Sequence, residues 1–214
     1  GLDDCLKLGS RAINWNRGDS STNQQGPVRR GKGMSMFLYR GGPGGTAEAH
    51  ITLNRQGVNE VSVGIMDVGE GSTTVLSQMA SEILGTDPSA LSLIVGNTSS
   101  TPKAGLTAGS TVTFSSGLAV KSAAMKLKSK LLVEAGLLMG EAIEGLSLVG
   151  KKVESISGSF VSLADIASVV GEIKTESKVN PGSSDYIVNS FGAHFVDVEV
   201  DLETGLVNIL RYVA

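Results

Sequence analysis

The chain has 214 residues, enough for one large domain or two small ones with a substantial buried core. Its formal charge of −3 gives no electrostatic footprint for nucleic acid or an anionic membrane surface. One cysteine and two histidines, His50 and His194, exclude an internal disulfide framework, argue against a Cys/His zinc site and leave a reducing, cytoplasmic compartment as the expectation.

No apolar run approaches the roughly 20 residues of a membrane span, and the N-terminus is not a signal peptide. Aromatic residues make up only 4%, so the core must be built from Val, Leu, Ile and Ala. The 28 glycines exceed ordinary globular usage and predict many tight turns. The first residues already lie inside an amphipathic helix pattern and Arg211–Ala214 inside a strand pattern. Both ends predict a segment excised from a longer polypeptide.

Leu2, Cys5, Leu6, Ala12 and Ile13 fall on one face of an opening helix that ends near Trp15. A lone cysteine on such a face reads as a small core residue. Asn16–Lys32, polar and basic, reads as a surface loop, and Gly33–Arg40 as a strand followed by a flexible turn, Gly41–Gly45. Ala49, Ile51 and Leu53 alternate with His50, Thr52 and Asn54, and Arg55-Gln56-Gly57 closes a hairpin into Val58–Met66. His50 lies on the polar side of its strand with no partner at metal-ligand spacing, so it reads as a surface or hydrogen-bonded histidine.

The stretch Met66–Val75 organises the rest of the chain. It reads as a strand entering a Gly-x-Gly turn and then a helix. Gly69 and Gly71 allow backbone angles that a side chain would block. Ser72 or Thr73 is the expected cap, and Val75, Leu76, Met79, Ala80, Ile83 and Leu84 form the apolar helix face up to a glycine stop at Gly85. Such a turn aims backbone N–H groups at whatever occupies the loop, which suits an anionic or polar cofactor. It is no P-loop, because the lysine and the spacing are missing.

Beyond a turn at Asp87–Ala90, Leu91–Val95 reads as a short strand buried on both faces. Gly96–Ser115 is a long run of small and polar residues, the kind of loop that carries function. Within it Ala108, Gly109, Ser110, Thr111 and Val112 would let a backbone approach a ligand and offer two hydroxyls. A helix follows with Val120, Ala123, Ala124, Leu127 and Leu131 on one face and lysines on the others. From Leu146 the pattern gives a strand, a turn at Ser157-Gly158 and a capping-box start at Ser162–Asp165 for a short helix ending near Gly171. Lys174–Asp185 reads as polar and broken by Pro181-Gly182. His194, Val196, Val198 and Val200 alternate with Phe195, Asp197, Glu199 and Asp201, and the carboxylates read as a solvent-facing strand edge. Glu203-Thr204-Gly205 turns the chain into a last strand, Val207–Val213. The whole reads as α+β: mixed, hairpin-rich sheets packed with a few helices. Its expected organisation is a single partial domain, with both candidate loops in residues 1–145 and a strand-rich part in 146–214.

Several segments in order resemble one family: Asp67–Thr74, Gln78–Gly85, Asn97–Pro102, Gly105–Thr111, Gly117–Ala124, Phe191–Ala193, Val198–Asp201 and Thr204-Gly205. Together they are similar to the molybdenum-cofactor-binding subunit of the xanthine dehydrogenase/aldehyde oxidase family, in the first half of its second cofactor-binding region. The resemblance implies a hydroxylase that binds molybdopterin, in bacteria usually as the cytosine dinucleotide, and inserts water-derived oxygen into aldehydes or N-heterocycles. It implies iron–sulfur and flavin (FAD) units on partner subunits or domains, and the remainder of the large subunit as a further partner. It places Gly69, Glu70 and Gly71, with Ser72 and Thr73, at the pterin near the metal. It places Ala108, Gly109, Ser110, Thr111 and Val112 at the phosphate end.

Two departures stand out. Glu70 occupies the position at which the family usually carries glutamine, and an ionised carboxylate only accepts hydrogen bonds. The family's general-base glutamate has no counterpart in these residues, so no catalytic residue and no protein metal ligand is assigned, and the 214 residues alone are expected to be inactive. A naturally split subunit, or a non-catalytic scaffold that keeps the fold, are the alternative readings.

Overall fold

In this computed structural model, which describes residues 1–15, 25–182 and 188–214, the elements run α1 (Leu2–Ala12), β1 (Val28–Arg40), β2 (Ala47–Leu53), β3 (Asn59–Val63), α2 (Ser72–Leu84), β4 (Ser92–Val95), α3 (Gly117–Met139), β5 (Leu146–Val149), β6 (Lys152–Ser155), β7 (Phe160–Ser162), α4 (Leu163–Val170), β8 (Ile173–Val179), β9 (Asn189–Asp201) and β10 (Val207–Val213). The fold is α+β. Two compact units divide the chain, one of residues 1–40 with 188–214 and one of residues 41–187.

The larger unit is built on a four-stranded sheet ordered β4-β3-β2-β8, in which only β3 and β4 run parallel. Ala47, Ala49, Ile51 and Leu53 of β2 and Val61 and Val63 of β3 are fully buried on one face, as their period of two requires. Helix α3 lies against that face. Val120, Ala123, Ala124, Leu127 and Leu131, the face read from the sequence, are each fully buried. Leu76, Ala80 and Leu84 of α2 complete the same core, and Gly85 ends α2 in a left-handed conformation with φ 63°. A small sheet ordered β5-β6-β7 adds Leu146, Leu148 and Val153, and α4 adds Leu163 and Ile166. Ser162 caps α4 by accepting the Asp165 amide at 3.0 Å, as expected for its capping box.

In the smaller unit α1 packs on a three-stranded sheet ordered β1-β9-β10. Its core is Ile13, Ala193 and Phe195, with Cys5, Leu6 and Val213 against it, so Cys5 is the packing residue its position predicts. An apolar cavity of about 460 Å³ opens among Cys5, Leu8, Phe37, Phe191 and Val213.

Four expectations need correction. The basic stretch before Gly33 is not wholly a loop: β1 starts at Val28 and pairs with β9 along its whole length. Residues 16–24 of that predicted loop lie outside the described residues. β4 is an edge strand with alternate residues half-buried, because β3 occupies only one of its edges. Lys174–Val179, read as part of a polar, broken stretch, belongs to β8 (Ile173–Val179). Thr175 and Ser177 face the core there, and the Thr175 hydroxyl lies 3.0 Å from the carbonyls of Ile51 and Ala123. The end of that predicted segment, 183–187, is likewise outside the described residues. Finally, Asp197 is not solvent-facing. It is 4% exposed, and Arg30 grips it with Nε at 3.0 Å and Nη2 at 2.7 Å.

Candidate cofactor-binding site

The β3 ladder stops at Val63, and residues 64–70 carry the chain irregularly to α2. Gly71 is the N-cap of α2, with φ 81°, and Gly69 has φ 105°, so both occupy the left-handed region that the sequence pattern required. A Cβ built on either glycine would meet nothing within 4 Å, which leaves this side of the turn open.

The helix is capped differently from expectation. Neither Ser72 nor Thr73 caps it through its side chain. Asp67 does so from outside. Its Oδ1 accepts the amides of Gly69 at 2.9 Å and Gly71 at 3.4 Å, and its Oδ2 accepts the amide of Thr73 at 3.0 Å and its hydroxyl at 2.7 Å. The Thr73 hydroxyl first, then the Thr73 and Gly69 amides, hold Asp67 far below the usual carboxylate range. Amides that the sequence pattern offered to a ligand are therefore taken by a carboxylate of the chain itself. The local signal was present: Asp-x-Gly is an Asx-turn pattern, with the side chain bonding the backbone two residues on.

Glu70 folds back onto the same loop. Its Oε2 accepts the Val68 amide at 2.8 Å. The neighbouring Ser72 hydroxyl first, then the amides of Glu70 and Val68, hold the Glu70 carboxyl below its usual range, with the Asp67 charge opposing. Ser72 is 5% exposed, and its Oγ is buried without a hydrogen-bond partner of regular geometry.

The second loop meets the first directly. Thr107 Oγ1 donates to the Met66 carbonyl at 3.0 Å, and the Pro102 carbonyl lies so close to Gly64 that no side chain could stand there. Gly109 and Ser110 are consecutive left-handed residues, with φ 54° and 65°, and the second is costly for a residue that carries a Cβ. Several contacts hold that shape. The Thr111 amide donates to the Ala108 carbonyl at 3.0 Å, and its hydroxyl donates to the Leu106 carbonyl. The Gly42 amide donates to the Gly109 carbonyl at 2.9 Å, and the Gly44 amide to Ser115 Oγ at 3.0 Å. Ala108 and Ser110 are exposed, whereas Val112 points into the core and has only its backbone to offer. A single turn of π-helix, Val112–Ser116, joins the loop to α3. Such turns are frequent at functional sites.

Residues from both candidate loops thus belong to one unit and touch through Thr107 and Met66. Among the described residues no group of three or more His, Cys, Asp or Glu could hold a metal ion. No helix among them is long and apolar enough to cross a membrane. The open turn, where a Cβ on Gly69 or Gly71 would meet nothing, and the small, exposed second loop fit a large polar ligand bound chiefly by backbone and hydroxyl groups.

Residues 9–214 match the family described as molybdopterin cofactor-binding domain. This chain belongs to that family.

The xanthine dehydrogenase molybdenum-binding subunit of Escherichia coli is 30% identical over 227 residues, covering 99% of this chain and 30% of that protein. The aldehyde oxidoreductase molybdenum-binding subunit PaoC of the same species is 26% identical over 217 residues, covering 100% of the chain and 29% of PaoC. This molybdopterin cofactor-binding domain therefore spans under a third of the length of these curated relatives. Its fold is shared with quinoline 2-oxidoreductase from Pseudomonas putida 86, with a TM-score of 0.65, 18% identity, and coverage of 99% of this chain and 30% of that one. It is shared equally with CO dehydrogenase from Oligotropha carboxidovorans, with a TM-score of 0.65, 19% identity and the same coverages.

Proposed function

We propose that the domain forms one wall of the molybdopterin site of a molybdenum hydroxylase large subunit. The contact of the two candidate loops through Thr107 and Met66, within a family that binds this cofactor, is the observation that carries the reading. The first turn, Gly69-Glu70-Gly71 with Ser72 and Thr73, presents mainly an acceptor, the exposed Glu70 carboxylate. Acceptors suit the N–H edge of a pterin. The second loop, Ala108–Val112, supplies small side chains and the Ser110 hydroxyl for the cofactor's phosphate end.

When bound, the cofactor supplies a two-electron oxidation in which a substrate C–H and water become C–OH, two protons and two electrons. The domain's own residues bind and orient it, and we assign the general base to the remainder of the parent protein. We assign the cytosine dinucleotide form, electron transfer through iron–sulfur and flavin partners, an aldehyde or N-heterocycle substrate, and a cytoplasmic location to the parent protein. The exposed Met34, Met36 and Phe37 of β1 support docking to the remainder of a larger subunit.

Turnover by the full-length protein in isotopically labelled water, with an artificial electron acceptor, tests the activity. Labelled oxygen in the product supports it, and an unlabelled product contradicts it. Residues 1–214 alone, even when supplied with cofactor, should give no product.

A further inference from the structure

We infer that Asp67 is a positioning residue of this site, fixing the Gly69–Gly71 turn so that it presents hydrogen-bond acceptors rather than free amides to its ligand. The inference rests on the cofactor assignment proposed for this domain. The geometry is specific. One carboxylate oxygen spans Gly69 and Gly71, the two left-handed glycines, and the other holds both donors of Thr73 in the first turn of α2. The turn is thereby tied at both ends to a single side chain.

That tie has two consequences. The partial positive charge at the N-terminus of α2 is already met by an anion, so a phosphate or other anionic group gains little there. Glu70 and Ser72, which lie between the tied residues, are fixed in place: Glu70 bends back to the Val68 amide, and the Ser72 hydroxyl stays buried beside the Glu70 carboxylate. A donor-bearing group of the ligand, such as a ring N–H or amino group, is what this turn can take. Anionic groups are left to the second loop.

The test is cofactor release from the loaded full-length protein, measured as molybdenum and pterin lost on repeated gel filtration. Asp67→Ala removes every tie. Asp67→Asn keeps an oxygen for Gly69 and Gly71 but loses an acceptor for Thr73. Asp87→Ala serves as control, because Asp87 likewise caps a helical turn, accepting the Ser89 amide at 2.8 Å and hydroxyl at 2.6 Å, without touching the glycine turn.

Release should quicken on the order of tenfold in Asp67→Ala, the scale on which supporting residues act in cofactor sites. Asp67→Asn should be intermediate and Asp87→Ala unchanged. Equal release from all four proteins, or equal acceleration by Asp67→Ala and Asp87→Ala, would overturn the positioning role while leaving the cofactor assignment intact. A wild-type protein that contains no pterin would overturn the assignment itself, and the role of Asp67 with it.

Discussion

The Asp197 carboxylate is buried under β9 and receives two parallel hydrogen bonds from the Arg30 guanidinium on the neighbouring strand, at 3.0 and 2.7 Å. Bidentate Arg–carboxylate pairs are the strong form of this interaction. The Arg30 bond first, then the charges of Arg30, Lys32 and Arg211, outweigh burial and hold Asp197 below its ordinary value of 3.8.

Asp197→Ala removes the bidentate acceptor of the Arg30 guanidinium. Because the Arg30 side chain is 46% exposed and can rehydrate, the cost should fall to about 1–3 kcal/mol, below that of breaking a wholly buried pair. Chemical denaturation of wild type and variant checks this. A depressed carboxylate stabilises the fold above its unfolded-state value and loses that contribution as pH falls through the folded-state value. Stability should therefore drop as pH falls below about 3.8 in wild type, and this component should vanish in Asp197→Asn.

Glu70→Gln should keep the turn intact, since an amide oxygen can accept the Val68 N–H as the carboxylate does. The melting temperature should stay where it is. Cofactor retention should match that of wild type, because the amide oxygen remains as the acceptor that this turn offers. Faster pterin loss in Glu70→Gln would show that the carboxylate itself is required.

Thr107→Val cuts the direct tie between the two loops. The hydrogen bond to the Met66 carbonyl is worth about 0.5–1.5 kcal/mol. The expected outcome is a small loss of thermal stability with a measurable rise in cofactor release. Thr107→Ser, which keeps the donor, should restore retention.

Much of this was legible in the sequence, and the failures have physical causes. The five inward residues of α3 were read correctly because Val120, Ala123, Ala124, Leu127 and Leu131 follow helical spacing against lysines. β8 was missed because two of its inward positions are Thr175 and Ser177, polar residues that are nonetheless buried, the Thr175 hydroxyl bonding the carbonyls of Ile51 and Ala123. Asp197 was misread because alternation gives the period of a strand and not its inner face, and β9 carries apolar residues on both. At the candidate site, the glycines and the helix start were visible. The capping carboxylate was not assigned, because Asp67 stands several residues ahead of the helix and reaches it only after the chain has turned through Gly69 and Gly71.

The most direct test of the cofactor assignment is the molybdenum and pterin content of the full-length protein as purified. Stoichiometric molybdopterin is predicted, lost when the Gly69–Gly71 turn or the Ala108–Val112 loop is replaced. A folded, full-length protein that carries neither molybdenum nor pterin, and takes up neither when the cofactor is supplied, would contradict it.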